Sequence, residues 1–145
     1  MRVSMKVDYG VRALVDLAQH YGQGPAQSKD IAARQGIPEP FLDQLLTSLR
    51  KAGFINSRRG PQGGHALARL PSQVSLGEII SSLEGSVAPI DCVEGLTQCV
   101  RSGSCAQREV WQSIAESIHN MLNSISIDDL AQRQLRREEQ AMYYI

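Results

Sequence analysis

The sequence predicts a mainly α-helical fold that carries one small β-hairpin. Three observations lead there. Apolar residues recur at helical spacing over most of the chain. A glycine-rich segment between two short strand-like runs interrupts that pattern near the middle. A long amphipathic stretch then follows a loop holding all three cysteines. With 145 residues, 42% of them hydrophobic, the chain can bury a real core as one domain, or as one small domain with an appendage.

Each element has its own signal. Val7, Val11, Leu14, Ala18 and Tyr21 share one helical face, which predicts a first helix from about Ser4 to Tyr21. The run from Gly22 to Pro25 ends it. Ser28 is the expected N-cap of a short helix, Lys29 to Gln35, and Gly36 its stop. A turn through Ile37 and Pro38 leads into a third helix, Pro40 to Ala52, closed by Gly53. The second and third helices and their tight turn have helix-turn-helix proportions. On the third, Leu42, Leu45, Leu46 and Leu49 form an apolar stripe, with Asp43, Gln44, Thr47 and Lys51 opposite.

Phe54 to Leu70 reads as two strands around a tip in which Gly63 and Gly64 supply the positive φ of a tight hairpin. A helix-turn-helix followed by a basic hairpin is a winged helix. A nucleotide-binding glycine loop is the competing reading; no Gly-Lys-Ser/Thr follows, and the glycines precede a strand, not a helix. Ser75 and Glu78 are spaced as a capping box for a short fourth helix. The cysteine loop runs from about Gly85 to Ser104. The long helix after it carries Val110, Trp111, Ile114, Ile118, Met121, Leu122 and Ile125. That stripe is wide for so little remaining chain, and a symmetric dimer would bury it. Ser126 to Asp129 caps a last short helix ending near Arg137. The expected divisions are residues 1–84, a winged helix-turn-helix; 85–104, the cysteine loop; 105–137, the dimerisation helix and short final helix; and 138–145, a tail.

Charge is uneven on a chain of zero net charge. Residues 1–77 sum to +5 and residues 78–145 to −5. Between Asp43 and Glu78 no acid occurs, while Arg50, Lys51, Arg58, Arg59 and Arg69 do. The basic half points to a polyanion-facing surface; the plain alternative is a solvated charged face. No apolar run reaches the ~18 residues of a membrane span, and no secretory apolar stretch follows Met1, so a cytoplasmic protein without membrane contact is expected. No nucleophile–base pair or substrate motif marks an enzyme.

Cys92, Cys99 and Cys105 lie within one short stretch. An odd cysteine count in a reducing compartment argues against a disulfide framework and for metal or redox chemistry. Three readings stand: ordinary small buried side chains, structural zinc, and an iron–sulfur cluster. Thiolate softness suits the last.

The opening Met1 to Leu14, the segment Phe41 to Gly53, the wing Arg59 to Arg69 and the three-cysteine loop together resemble the Rrf-two family of bacterial regulators, in its IscR-like and NsrR-like types. The likeness covers nearly the whole chain. It implies a homodimeric winged-helix transcription factor that binds double-stranded DNA. It also implies an iron–sulfur cluster, 2Fe-2S or 4Fe-4S, that senses iron, redox state or nitric oxide. Cys92, Cys99 and Cys105 would ligate iron. In one type a histidine three residues past the last cysteine is the fourth ligand, and here that position is Arg108. In the other an aspartate near the N-terminus of the partner subunit serves, and Asp8 occupies that position. The plain reading of Asp8 is a first-turn acid complementing a helix dipole. Two departures stand out. Six residues separate Cys92 from Cys99 where the family has five, and the wing has Gln62 and His65 where glycine and tyrosine are common.

The expected DNA contacts are Ser28, Glu39, Pro40, Asp43, Gln44, Thr47, Arg50, Lys51, Arg58, Arg59 and Gly63. Asp43, Gln44 and Thr47 would face base edges, and Arg50, Lys51 and Arg58 phosphates. Arg59, rigid and always charged, suits a narrow minor groove. Trp111, Ile114, Ile118, Met121 and Leu122 form the expected dimer interface. Two rivals remain: a winged-helix regulator whose cysteines bind zinc or sense oxidants directly, and a cluster-carrying electron-transfer protein or enzyme.

Overall fold

The computed structural model describes residues 2–94, 99–101 and 103–144. Its helices are α1 (Met5–Gln19), α2 (Ser28–Gln35), α3 (Glu39–Lys51), α4 (Leu76–Glu84), α5 (Ala106–Asn123) and α6 (Ile127–Tyr143). Strands β1 (Ile55–Arg58) and β2 (Gly64–Leu67) pair antiparallel between α3 and α4, with Ile55 opposite Leu67 and Arg58 opposite Gly64. The mainly helical winged-helix architecture expected from the sequence is present.

The first helix is the hub: α2, α3, α4 and α6 all pack on it. Leu14, Ile31, Leu42, Leu46, Leu49, Ile55, Ile79 and Ile127 are fully buried in one core that joins these elements. All four leucines of the α3 stripe, Leu45 included, are buried. Each burial stabilises the fold by about 1.5–3 kcal/mol before entropy is counted. The recognition helix is therefore fixed on the body by one face and free on the other.

Local signals explain most boundaries. The Ser4 hydroxyl accepts the Val7 N–H and caps α1. Gly36, at φ +64°, closes α2. The Ser75–Glu78 capping box starts α4 as expected. A second box, Ser126 with Asp129, starts α6, and the Ser126 N–H holds the Asp129 carboxyl below its usual range. Between α5 and α6 the chain returns to the start of α4. Leu76 N–H donates to the Ile125 carbonyl and Ile127 N–H to the Val74 carbonyl, both at 2.8 Å. That bridge delivers α6 to the flank of α1.

Four expectations are corrected. Helix α1 stops at Gln19, short of Tyr21. Ser28 is the first residue of α2 and Gln27 its N-cap, without a side-chain cap bond. Positive φ in the wing falls at Gly60 and Gly64, not Gly63. Helix α6 continues through residues 138–143, where a tail beyond Arg137 was expected. Glu138, Glu139, Gln140, Ala141 and Met142 contain no breaker, and Gln134 donates to Glu138 one turn on at 3.1 Å.

Candidate nucleic-acid interface and cysteine loop

The outer face of α3 presents Asp43, Gln44, Thr47, Arg50 and Lys51, all exposed. Glu39 and Pro40 open the same helix and are exposed too. Thr47 donates its hydroxyl to the Asp43 carbonyl at 3.0 Å, and Ser48 donates to the Gln44 carbonyl at 3.3 Å. The Thr47 donor is thus spent inside the helix, which leaves its methyl and oxygen lone pair for a partner. Arg58 and Arg59 are exposed at the end of β1 and in the turn beyond it. Ser28 sits half-buried at the start of α2. Gly63 is buried, so its place is in the wing's backbone, not on its outer surface.

The wing is pinned at its root. Ala26 and His65 exchange both backbone hydrogen bonds, at 2.9 and 2.7 Å, and Gln27 donates its side chain to the Pro61 carbonyl at 3.3 Å. A Cβ on Gly63 would overlap the Arg58 carbonyl, and one on Gly64 the Ala26 backbone, so both positions require glycine. The Ser57 hydroxyl lies 2.8 Å from His65 Nδ1. Burial holds the His65 imidazole below its ordinary value; Asp43 opposes that shift and Arg50 adds to it. The wing and recognition helix therefore share one electrostatic neighbourhood.

Sequence reasoning missed the residue that seats the helix-turn-helix. Asp16, 1% exposed, lies on the buried face of α1. Its carboxylate accepts Nε and Nη2 of Arg34 at 2.9 and 2.8 Å, and Gln35 Nε2 at 3.0 Å. His20 Nδ1 donates to the Asp16 carbonyl at 2.8 Å. An acid between Ala13, Leu14 and Leu17 on an apolar face was the available signal, since a buried charge needs a partner.

The three cysteines are unpaired. Cys92 and Cys105 are half-buried and Cys99 is exposed. Cys92 sits in a 3-10 turn, Asp91–Val93, and Cys105 is the residue before α5. Arg108 joins these ends, its Nε donating to the Cys92 carbonyl at 3.3 Å. Residues 95–98 and 102 of the expected loop lie outside the described residues. Among the described residues no three His, Cys, Asp or Glu side chains converge as a metal site. Asp8 is engaged elsewhere: Arg12 grips both of its oxygens, at 3.1 and 2.9 Å. The donor set, three free thiols on one short segment with Arg108 tying the Cys92 carbonyl to α5, has the chemistry of a soft, thiolate-bound metal centre.

No residue of α5 is buried. Val110, Ile114 and Met121 are exposed, whereas Trp111, Ile118 and Leu122 are half-buried, and Leu122 packs on the core. The five residues expected at a dimer contact thus divide: Ile114 and Met121 point outward, and Trp111, Ile118 and Leu122 lie on the flank.

A family profile described as "Rrf2: Iron-dependent Transcriptional regulator" matches residues 3–133. The chain belongs to the Rrf2 family. It is similar to Protein rrf2 of Nitratidesulfovibrio vulgaris, 37% identical over 130 residues that cover 90% of this chain and 87% of that one. Among solved structures it is similar to CymR, "the Global Cysteine Regulator of B. subtilis", with TM-score 0.79, 34% identity and coverage of 92% and 98% of the two chains. It is also similar to T. potens IscR, with TM-score 0.75, 42% identity and coverage of 92% and 88%. Its relatives are named transcriptional regulators, and this Rrf2 protein is a DNA-binding transcriptional regulator, not an enzyme. The Rrf2 match spans every element from α1 into α6 and leaves only the end of α6 beyond it. No helix among the described residues is long and apolar enough to cross a membrane.

Proposed function

We propose that this Rrf2 protein acts as a homodimer whose affinity for double-stranded DNA is set by an iron–sulfur cluster on Cys92, Cys99 and Cys105. Asp8 of the partner subunit is the fourth ligand. The observation that carries this reading is the position of the three unpaired thiols. They lie between the winged helix and the exposed face of α5, with Arg108 tying Cys92 to the start of α5. When bound, the cluster supplies a centre that iron supply, oxidants or nitric oxide alter. The protein's own part is mechanical. α5 assembles the two copies, α1 carries Asp8 and the seat of α2, and α3 and the wing meet DNA. Regulation then requires only that cluster-bound and cluster-free forms differ in DNA affinity.

A second reading has its own support: the likeness to CymR, described as a cysteine regulator, and the exposure of Cys99. Here the thiols themselves are the sensor and no metal is held. One experiment separates the two. Protein purified without oxygen is assayed by visible spectrum, iron and acid-labile sulfide. The cluster reading expects coloured protein, with Cys92→Ala, Cys99→Ala and Cys105→Ala each losing most of the colour. Asp8→Ala should keep a more labile cluster, because a carboxylate is readily displaced. Colourless protein whose DNA affinity falls on thiol oxidation would establish the second reading, and stoichiometric zinc would displace both.

A further inference from the structure

A cleft of about 550 Å³ lies between α1, α2 and α6, lined by Asp8 and Arg12 of α1, Arg34 of α2, and Arg133 and Arg137 of α6. Four guanidinium groups and one carboxylate face it. Two of the four are fixed in place. Arg12 spends Nε and Nη2 on Asp8, and its Nη1 reaches only the Gln35 carbonyl, at 3.4 Å. Arg34 spends Nε and Nη2 on Asp16 and keeps Nη1 free of a side-chain partner among the described residues. Arg133 and Arg137, one turn apart on α6, enter no ion pair among the described residues. Against these cations stand Asp8, already neutralised by Arg12, and Asp16, already neutralised by Arg34. Asp30 adds a longer-range influence on Arg34, and Asp129, one turn before Arg133 on α6, acts on Arg133 in the same way.

We infer that this cleft binds a compact polyanion carrying phosphoryl or carboxylate groups, with Arg133 and Arg137 as its principal ligands and Arg12 and Arg34 as a preset wall. Guanidinium forks match both anion types bidentately, and two of the forks are already oriented, so little rotamer entropy remains to be lost on that side. The volume lies within the range of small-molecule sites. The anion would link α6, from the C-terminal half, to α2, the first helix of the helix-turn-helix. Its binding would therefore bias how α2 sits and so alter DNA affinity. This site shares Asp8 with the proposed cluster, so its test runs on colourless, metal-free protein as well as on protein as purified.

Calorimetric titration of the full chain with inorganic pyrophosphate and, separately, with citrate, at ionic strength held constant with sodium chloride, tests the inference. Saturable binding of one anion per chain is expected, weakened at least tenfold by Arg133→Gln combined with Arg137→Gln. Both residues are exposed, so the melting curve without anion should not move. The single variant Arg137→Gln, which perturbs less, should show an intermediate loss. Binding of pyrophosphate alone identifies a phosphoryl ligand, binding of citrate alone a carboxylate ligand, and equal binding of both a site that reads charge only. Absence of saturable heat with either anion overturns the inference, as does unchanged affinity in the variants.

Discussion

Asp16 on α1 takes Nε and Nη2 of Arg34 on α2 at 2.9 and 2.8 Å while its own side chain is 1% exposed. The pair crosses 18 residues of sequence and sets the seat of the first helix of the helix-turn-helix. Removing one partner leaves a buried carboxylate short of donors. Such losses cost about 3–5 kcal/mol in a dry interior, and the 39% exposure of Arg34 reduces the expectation to about 1–3 kcal/mol. Arg34→Met should therefore lower the urea midpoint and weaken DNA binding together. A midpoint within error of the parent would make the pair a bystander.

The proposed DNA face separates positioning from reading. Lys51 and Arg58 are exposed cations, so Lys51→Ala or Arg58→Ala should weaken binding to every duplex alike and reduce the salt slope by about one unit. Asp43 and Gln44 face outward from α3, and their replacement should relax sequence preference, at ~1–3 kcal/mol per lost base contact, with little change in slope. Arg59→Ala should erase a preference for A·T-rich flanks. Titrations on specific, flank-altered and random duplexes at several salt concentrations distinguish these outcomes. An Arg59→Ala loss equal on all three duplexes would reduce the wing to an electrostatic anchor.

Assembly is best probed at Ile114, which is 39% exposed on α5. Aspartate there should be tolerated by the single chain, yet it would bury an unpaired carboxylate if two α5 helices meet. Ile114→Asp should sediment as a folded monomer. Ile118→Asp is a less clean test, because its half-buried side chain would report folding and assembly at once. A well-folded Ile114→Asp dimer would move the interface elsewhere.

His65 gives the wing a pH dependence. Burial lowers its folded value below the ordinary 6.5, so between those two values the unfolded chain holds more protons than the folded one. The stability it contributes is complete above pH 6.5 and is lost as pH falls through the lowered folded value. His65→Gln, which can still bond the Ser57 hydroxyl, should flatten the fall in melting temperature on the acid side. Parallel acid-side profiles for the two proteins would show that another group controls it.

Much of this was legible because its causes are local. The leucine stripe of α3, the capping box at Ser75, the cap at Ser126 and the stop at Gly36 act over a few residues, so spacing alone reveals them. The division of the α5 stripe was hidden because the return of the chain through the Ile125–Leu76 bond decides which flank faces the body. The pairing of Asp16 with Arg34 was hidden for the same reason. Gly63 was misread because a glycine can be demanded by a neighbouring carbonyl as readily as by a positive φ.

One tie reaches furthest along the chain. The Ser4 N–H donates to Glu84 Oε1 at 3.0 Å, fastening the start of α1 to the end of α4 just before the cysteine segment begins. Arg108 of α5 holds the Cys92 carbonyl, and Cys105 leads directly into the same helix. With both cysteines held to α5 in this way, a change in the number of residues between the thiols leaves the register of α1 and α5 where it is. The additional residue between Cys92 and Cys99 is such a change. A scaffold fixed in this way would let the thiol spacing vary while the face proposed to meet DNA keeps its shape.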